Sequence, residues 1–225
     1  MDIETADADA EAIAEAKAAL KAPKNWKAET TERKRGEREA AIEEKAALLD
    51  AAPIICLCLK TDRMAVSLNG MSDESFDIPG WCVIPCENEQ NLLVLLRILL
   101  NASTCQDTEL VGHNFGFDTG KLRQAYIRHR LYLPNALVPG AAPVFDTMHQ
   151  VKHFSAEYNK ELFISMENMT RILRLPQPKQ IIQGSDCPRL YREGRYQEIL
   201  IYNAIDGETT ERAYLLMSGQ STELQ

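Results

Sequence analysis

Apolar and polar positions alternate along the chain in a way that separates strands from helices. Met1–Thr5 is short and β-compatible, and residues 8–20 are rich in Ala and other helix formers. The pattern breaks around Pro23 to Thr31, and Glu32 to Leu49 resumes as a charged helix with Gly36 as its weak point. With few large apolar residues, the stretch from about 8 to 50 reads as a helical excursion lying over a domain. The apolar run in Pro53–Lys60 predicts a strand, and Met64–Leu68 predicts a second joined to it by a short hairpin link. A third strand is expected near Trp81 to Ile84. Glu89 to Leu100 predicts a helix whose Leu92, Leu95, Leu96 and Leu99 share one face, with Arg97 turned away. Glu109–Gly112 reads as a buried strand, Phe115–Arg130 as a helix and Ala142–Phe145 as a short strand. Helices are then expected over about 147–154, 165–174, 187–193 and 195–217. Strands first and helices interleaved later indicate a single α/β (or α+β) domain spanning 1–225, with the helical insertion at about 8–50.

The composition is that of an ordinary globular chain: 45% hydrophobic and 26% charged over 225 residues. The longest apolar run, Ile54–Leu59, is far shorter than the roughly 18–20 residues of a spanning helix, so no membrane association is expected. No basic-then-apolar leader opens the sequence, and a cytoplasmic location is the expectation. Cysteines stand at 56, 58, 82, 86, 105 and 187 without a C-x-x-C pair. Cys82 and Cys86 come nearest to a zinc pair but lack matching partners, so reduced structural thiols are expected. Net charge is −8, yet local charge matters more for a polyanion partner. Between Thr119 and Ala156, five cations (Lys121, Arg123, Arg128, Arg130 and Lys152) face the single acid Asp146.

Four places put acids where chemistry can use them. Asp2 and Glu4, two apart on a strand, point to one face and can reach one cation. Asp118 follows Gly112-His-Asn-Phe-Gly-Phe at the carboxyl end of a strand, where sheet proteins place ligands. The competing role for this segment is structural, with Asn114 as an N-cap and Asp118 in the favourable first turn. Tyr202 and Asp206, at i and i+4, share a helix face. Asp146 closes Val144-Phe-Asp at a strand end, where helix capping is the competing role.

In order, D-x-E, N-x-x-F-D and Y-x-x-x-D resemble the pattern of the DEDDy-type 3′–5′ exonucleases of the ribonuclease H-like fold. That branch includes the proofreading domains of family B DNA polymerases, and this chain is similar to a free-standing, phage-type member. The resemblance extends over nearly all of the chain apart from the insertion. It implies a mixed sheet flanked by helices and a metal-dependent 3′–5′ exonuclease acting on DNA, single-stranded 3′ ends first, and releasing nucleoside 5′-monophosphates. It further implies that Asp2, Glu4, Asp118 and Asp206 bind two Mg²⁺ or Mn²⁺ ions and that Tyr202 orients the attacking water. Asn114, Phe117, Lys121, Arg123, Arg128 and Arg130 become candidates for nucleic-acid contact, with His113, Asp146 and Lys160 as further candidates. In relatives an apolar strand precedes D-x-E, whereas here only Met1 precedes Asp2, which leads one to expect a short, loosely held first strand. The alternatives are therefore a catalytically impaired module that binds nucleic acid or protein, and an exoribonuclease acting on RNA.

Overall fold

The computed structural model describes residues 1–21, 28–102, 109–176 and 182–220. Cys105 lies outside them, as does part of the expected break at 23–31. The β-branched and apolar segments form two sheets. The first runs in the order β1 (Asp2–Thr5), β2 (Ile54–Lys60), β3 (Ala65–Asn69) and β4 (Cys82–Pro85), and the second pairs β5 (Leu110–Gly112) with β6 (Val144–Asp146). β1 with β2 and β2 with β3 are antiparallel, while β3 with β4 and β5 with β6 are parallel. Thr61 closes the β2–β3 link: its backbone N–H donates to Met64 O at 2.8 Å, and its hydroxyl accepts from the amides of residues 63 and 64. The sheets meet at Met1, whose amino group donates to Val111 O of β5 at 2.9 Å.

Helices cover both faces. Against one lie α3 (Glu89–Asn101) and α4 (Phe115–Arg128), packing Leu92, Leu93, Leu96, Leu122 and Tyr126 onto Ile3, Leu57, Leu59 and Leu68. Against the other lie α7 (Cys187–Arg192) and α8 (Tyr196–Met217), packing Leu190, Ile199, Leu200 and Ala204 onto Ile55, Cys56 and Cys58. Burial on both faces is why β2 is an unbroken apolar run rather than an alternating one. α8 packs across β3, β2, β1 and β5, spanning both sheets. Gly207 makes this close: a Cβ there would stand 2.6 Å from Cys58 Sγ and 3.3 Å from the Trp81 ring. α5 (Thr147–Gln150) and α6 (Met166–Leu173) close a smaller cluster around Met148, Val151, Ile164 and Met169. The chain is thus a mixed α/β domain with helices flanking a mixed sheet.

Several boundaries differ from the sequence expectation for physical reasons. α3 buries Leu92, Leu93, Leu96 and Leu100, so the apolar stripe is rotated and Leu95 and Leu99 lie only partly covered at its edge. α4 stops at Arg128 rather than 130 because Arg130 takes a left-handed backbone (φ 53°), and the amides of 130 and 131 turn back to Ile127 O and Tyr126 O. In the insertion, α1 spans Ala10–Ala18 and α2 spans Ala28–Glu44, running straight through Gly36; a 3₁₀ turn at Ala46–Leu48 replaces the expected last turn.

The insertion has a fixed base. Thr5 Oγ1 donates to Ala47 O at 2.9 Å, Ala8 N to Ala46 O at 3.3 Å, and Arg128 Nη1 to Asp50 O at 2.8 Å. Beyond that base α1 buries no residue. Lys17 pairs with Glu43 across the two helices, and Arg33–Glu37 and Arg35–Glu39 pair along α2.

Candidate metal centre

β1 sets the site. Its alternation buries Ile3 under α3 and α4 and turns Asp2 and Glu4 to the α8 side, opposite Cys58 and Cys56 in the β2 register. α8 brings Asp206 onto the same spot, allowed by the close approach at Gly207. One carboxylate oxygen from each of Asp2, Glu4 and Asp206 lies within 4.8 Å of the other two. An octahedral cation with oxygens at about 2.1 Å needs separations of about 3–4.2 Å, so small side-chain rotations suffice to close the shell.

The electrostatics fit a cation. Burial raises Asp2 first, and the nearby Asp206 adds to it, so its carboxyl titrates at about 7 instead of 3.8. The N-terminal ammonium and the Asn203 amide pull the other way. Glu4 is raised well above its usual range by burial and then by Asp2 and Asp206, although the Cys187 thiol donates a hydrogen bond to it. Such groups oppose one another's ionisation, and a divalent ion reverses that opposition. The three acids can hold a metal ion.

Asp118 enters from α4 and stands outside this trio. It is 4% exposed and its Oδ2 has no hydrogen-bond partner. Its carboxyl is raised by burial, then by Asp2, with the N-terminal ammonium opposing. Of the trio, Asp2 acts on Asp118, and Asp118 in turn acts on Glu4. Tyr202 is hydrogen-bonded to Asp206 and is pushed well above the usual phenol range by burial and by the carboxylates of Asp206 and Glu4, so it stays protonated. Gly184 abuts both: a Cβ there would lie 3.5 Å from the Tyr202 hydroxyl and 3.9 Å from Glu4 Oε2.

The remaining candidates are placed differently. Asn114 occupies the N-cap position of α4 in a left-handed conformation (φ 55°) without capping by its own side chain. Asp146 does that work: Oδ1 accepts from Asn114 N and Oδ2 from Phe115 N, each at 3.0 Å, and Oδ1 also caps α5 through Met148 N. His113 bridges Thr147 Oγ1 at 3.0 Å and Ile164 O at 2.8 Å, and its pKa is lowered by burial. Both are structural fasteners behind the site. Phe117 is half-buried with the Lys121 ammonium 5.5 Å over its ring.

Three of the four cations expected to meet nucleic acid are engaged by the chain itself, though Arg128 stays exposed. Lys121 is buried, its pKa lowered to about 8 by burial, and it donates to Ala47 O and Leu49 O at the base of the insertion. Arg123 donates to Leu137 O at 2.8 Å, and Arg128 pairs with Glu89 at 2.7 Å. The foot of the helical excursion and Glu89 claim Lys121 and Arg128, and the carbonyl of Leu137 claims Arg123. Arg130 and Lys160 are exposed.

Sequence reasoning missed Asn203, Cys187 and Gly207. Asn203 lies three residues before Asp206, a spacing that shares a helix face as surely as four does, so the signal was present. Cys187 carried none, since only the fold brings α7 beside Glu4.

No helix among the described residues is long and apolar enough to cross a membrane. No protein-family model matches the chain, and no curated protein matches it.

Proposed function

We propose that the protein is a metal-dependent 3′–5′ exonuclease that hydrolyses DNA phosphodiester bonds to nucleoside 5′-monophosphates. The observation that carries this reading is the convergence of Asp2, Glu4 and Asp206 within 4.8 Å, from a strand and a helix about two hundred residues apart in the chain. The Tyr202 hydroxyl on Asp206 and the unpartnered, buried Asp118 oxygen beside Asp2 add to it. The strand arrangement is compatible with a ribonuclease H-like sheet: an antiparallel β1–β2–β3 meander, with the parallel pair β5–β6 tied to β1 through Met1.

All-oxygen ligands suit Mg²⁺ or Mn²⁺. A pair of such ions supplies water activation and charge stabilisation at the scissile phosphate. The protein's own groups do the rest. Asp2, Glu4 and Asp206 would hold a cation, with Asp118 as the further acid that Asp2 acts on. Tyr202, protonated through the working pH range, acts by hydrogen bonding and orients the water rather than taking its proton.

A second reading follows from the cations that the chain itself engages. With Lys121, Arg123 and Arg128 engaged by the chain itself, a module that binds nucleic acid or protein without turnover accounts for the same fold. A time course with Mn²⁺ on 5′- and 3′-labelled DNA and RNA, wild type beside Asp206→Ala, separates these readings. Shortening from the 3′ end by wild type alone supports the exonuclease. Preference for RNA reassigns the substrate, and no cleavage, or equal cleavage by both proteins, refutes the proposal.

A further inference from the structure

Asn203 lies one turn before Asp206 on α8 and is wholly buried. Its Nδ2 donates to Asp2 Oδ2 at 2.6 Å, and its backbone carbonyl accepts from the Cys58 thiol at 3.2 Å. Its own Oδ1 is buried with no partner. A buried amide oxygen without a donor costs about 1–3 kcal/mol. Leucine would fill nearly the same space without that cost, so packing alone does not account for an amide here.

Asp2 accounts for it. Turning the amide over would set Oδ1 against a carboxylate oxygen, acceptor against acceptor. The orientation is therefore dictated by Asp2, and Asn203 carries an unpartnered oxygen in order to supply one N–H. That N–H ties down one carboxylate oxygen, Asp2 Oδ2, and with it the rotation of the group that faces Glu4 and Asp206. The amide is itself held from behind: the Cys58 thiol grips its backbone, and Gly207, one turn on, lets α8 sit against β2 closely enough for so short a bond. β1 contributes only four residues, so a fixed partner on the opposite element restricts the Asp2 side chain on a short strand.

Resting on the reading that the acidic trio holds a divalent cation, we infer that Asn203 is a positioning residue whose amide fixes the rotation of the Asp2 carboxylate for cation binding. Groups that hold metal ligands in orientation are worth about 10–100-fold in metal affinity. A purely structural residue would instead change stability and leave affinity alone.

The test is calorimetric titration of the full chain with Mn²⁺ at pH 8, comparing wild type, Asn203→Leu and Asn203→Ala, alongside cation-free melting. The expected result is about 10–100-fold weaker Mn²⁺ binding in both variants, with Asn203→Leu melting at or above the wild-type temperature. Wild-type Mn²⁺ affinity in either folded variant overturns the inference while leaving the cation site intact. If Asn203→Leu fails to fold, Asn203→Ala decides by the same criterion. Silence of the wild type itself in the titration overturns the cation reading, and this inference with it.

Discussion

Without a cation, ionisation of the clustered acids opposes folding, and the size of that opposition can be worked from the site. Asp2 titrates at about 7 in the folded chain against an ordinary 3.8, and Glu4 and Asp118 are raised as well. A raised carboxyl pKa means that the folded chain binds more protons than the unfolded chain between about pH 4 and pH 7, so stability falls as pH rises through that window. At 1.36 kcal/mol per pKa unit, Asp2 alone corresponds to a loss on the order of 4 kcal/mol by pH 8. A divalent ion bound only by the folded chain restores about 2.7 kcal/mol at a hundred times its Kd. For a chain of this length that raises Tm by about 5–11 °C. Scanning calorimetry at pH 5 and pH 8, with and without Mn²⁺, measures it. His113, lowered by burial, stabilises in the opposite pH direction, so the informative quantity is the difference between wild type and Asp206→Asn. That variant should melt higher than wild type at pH 8 without cation and lose the Mn²⁺ shift. The wild-type shift should be large at pH 8 and small at pH 5, where protons occupy the carboxyls. An equal shift at both pH values, or one that survives in Asp206→Asn, refutes the reasoning.

Three further outcomes are expected. Gly207→Ala would force a Cβ to within 2.6 Å of Cys58 Sγ, and overpacking of this kind costs about 1–3 kcal/mol, read as a lower midpoint in urea. Tyr202→Phe should keep the wild-type melting temperature and lower kcat on the order of 100-fold through lost orientation of the water, leaving the pH profile of the rate in place because the phenol never ionises. Arg130→Ala should reduce the salt slope of single-stranded DNA binding by about 0.7, whereas Arg128→Ala, by breaking the Glu89 pair, should show itself in thermal melting; an unchanged slope for Arg130→Ala removes it from the interface.

The elements that the sequence made legible are those in which local pattern and tertiary role coincide. The β2 run, α3 and the long α8 are each present within a few residues of their expected bounds, although the buried stripe of α3 is rotated from the expected one. Strand and helix periodicity put Asp2 with Glu4 and Tyr202 with Asp206 on one face each, but that the two pairs belong to one site came only from the resemblance to the exonuclease motif order. Asp118 was placed at the right strand end, but no spacing tells that it stands outside the trio. The cations are tied up in the chain for a reason invisible locally. Arg128 and Lys121 are engaged by Glu89 and by the carbonyls of residues 47 and 49, which lie 39 and more positions away in the chain. Asp146 illustrates the same limit: its two caps depend on β6 lying beside β5.

The foot of the insertion has a consequence for how this domain can be altered. Thr5, Lys121 and Arg128 seal the chain at residues 46–50, so the forty-odd residues beyond form a closed excursion whose ends no longer report to the carboxylates. Loop entropy grows by only about 0.6 kcal/mol per doubling of length. Natural drift or deliberate grafting can therefore lengthen, trim or rewrite the tip of the two-helix arm while the strand carrying Asp2 and Glu4 stays anchored.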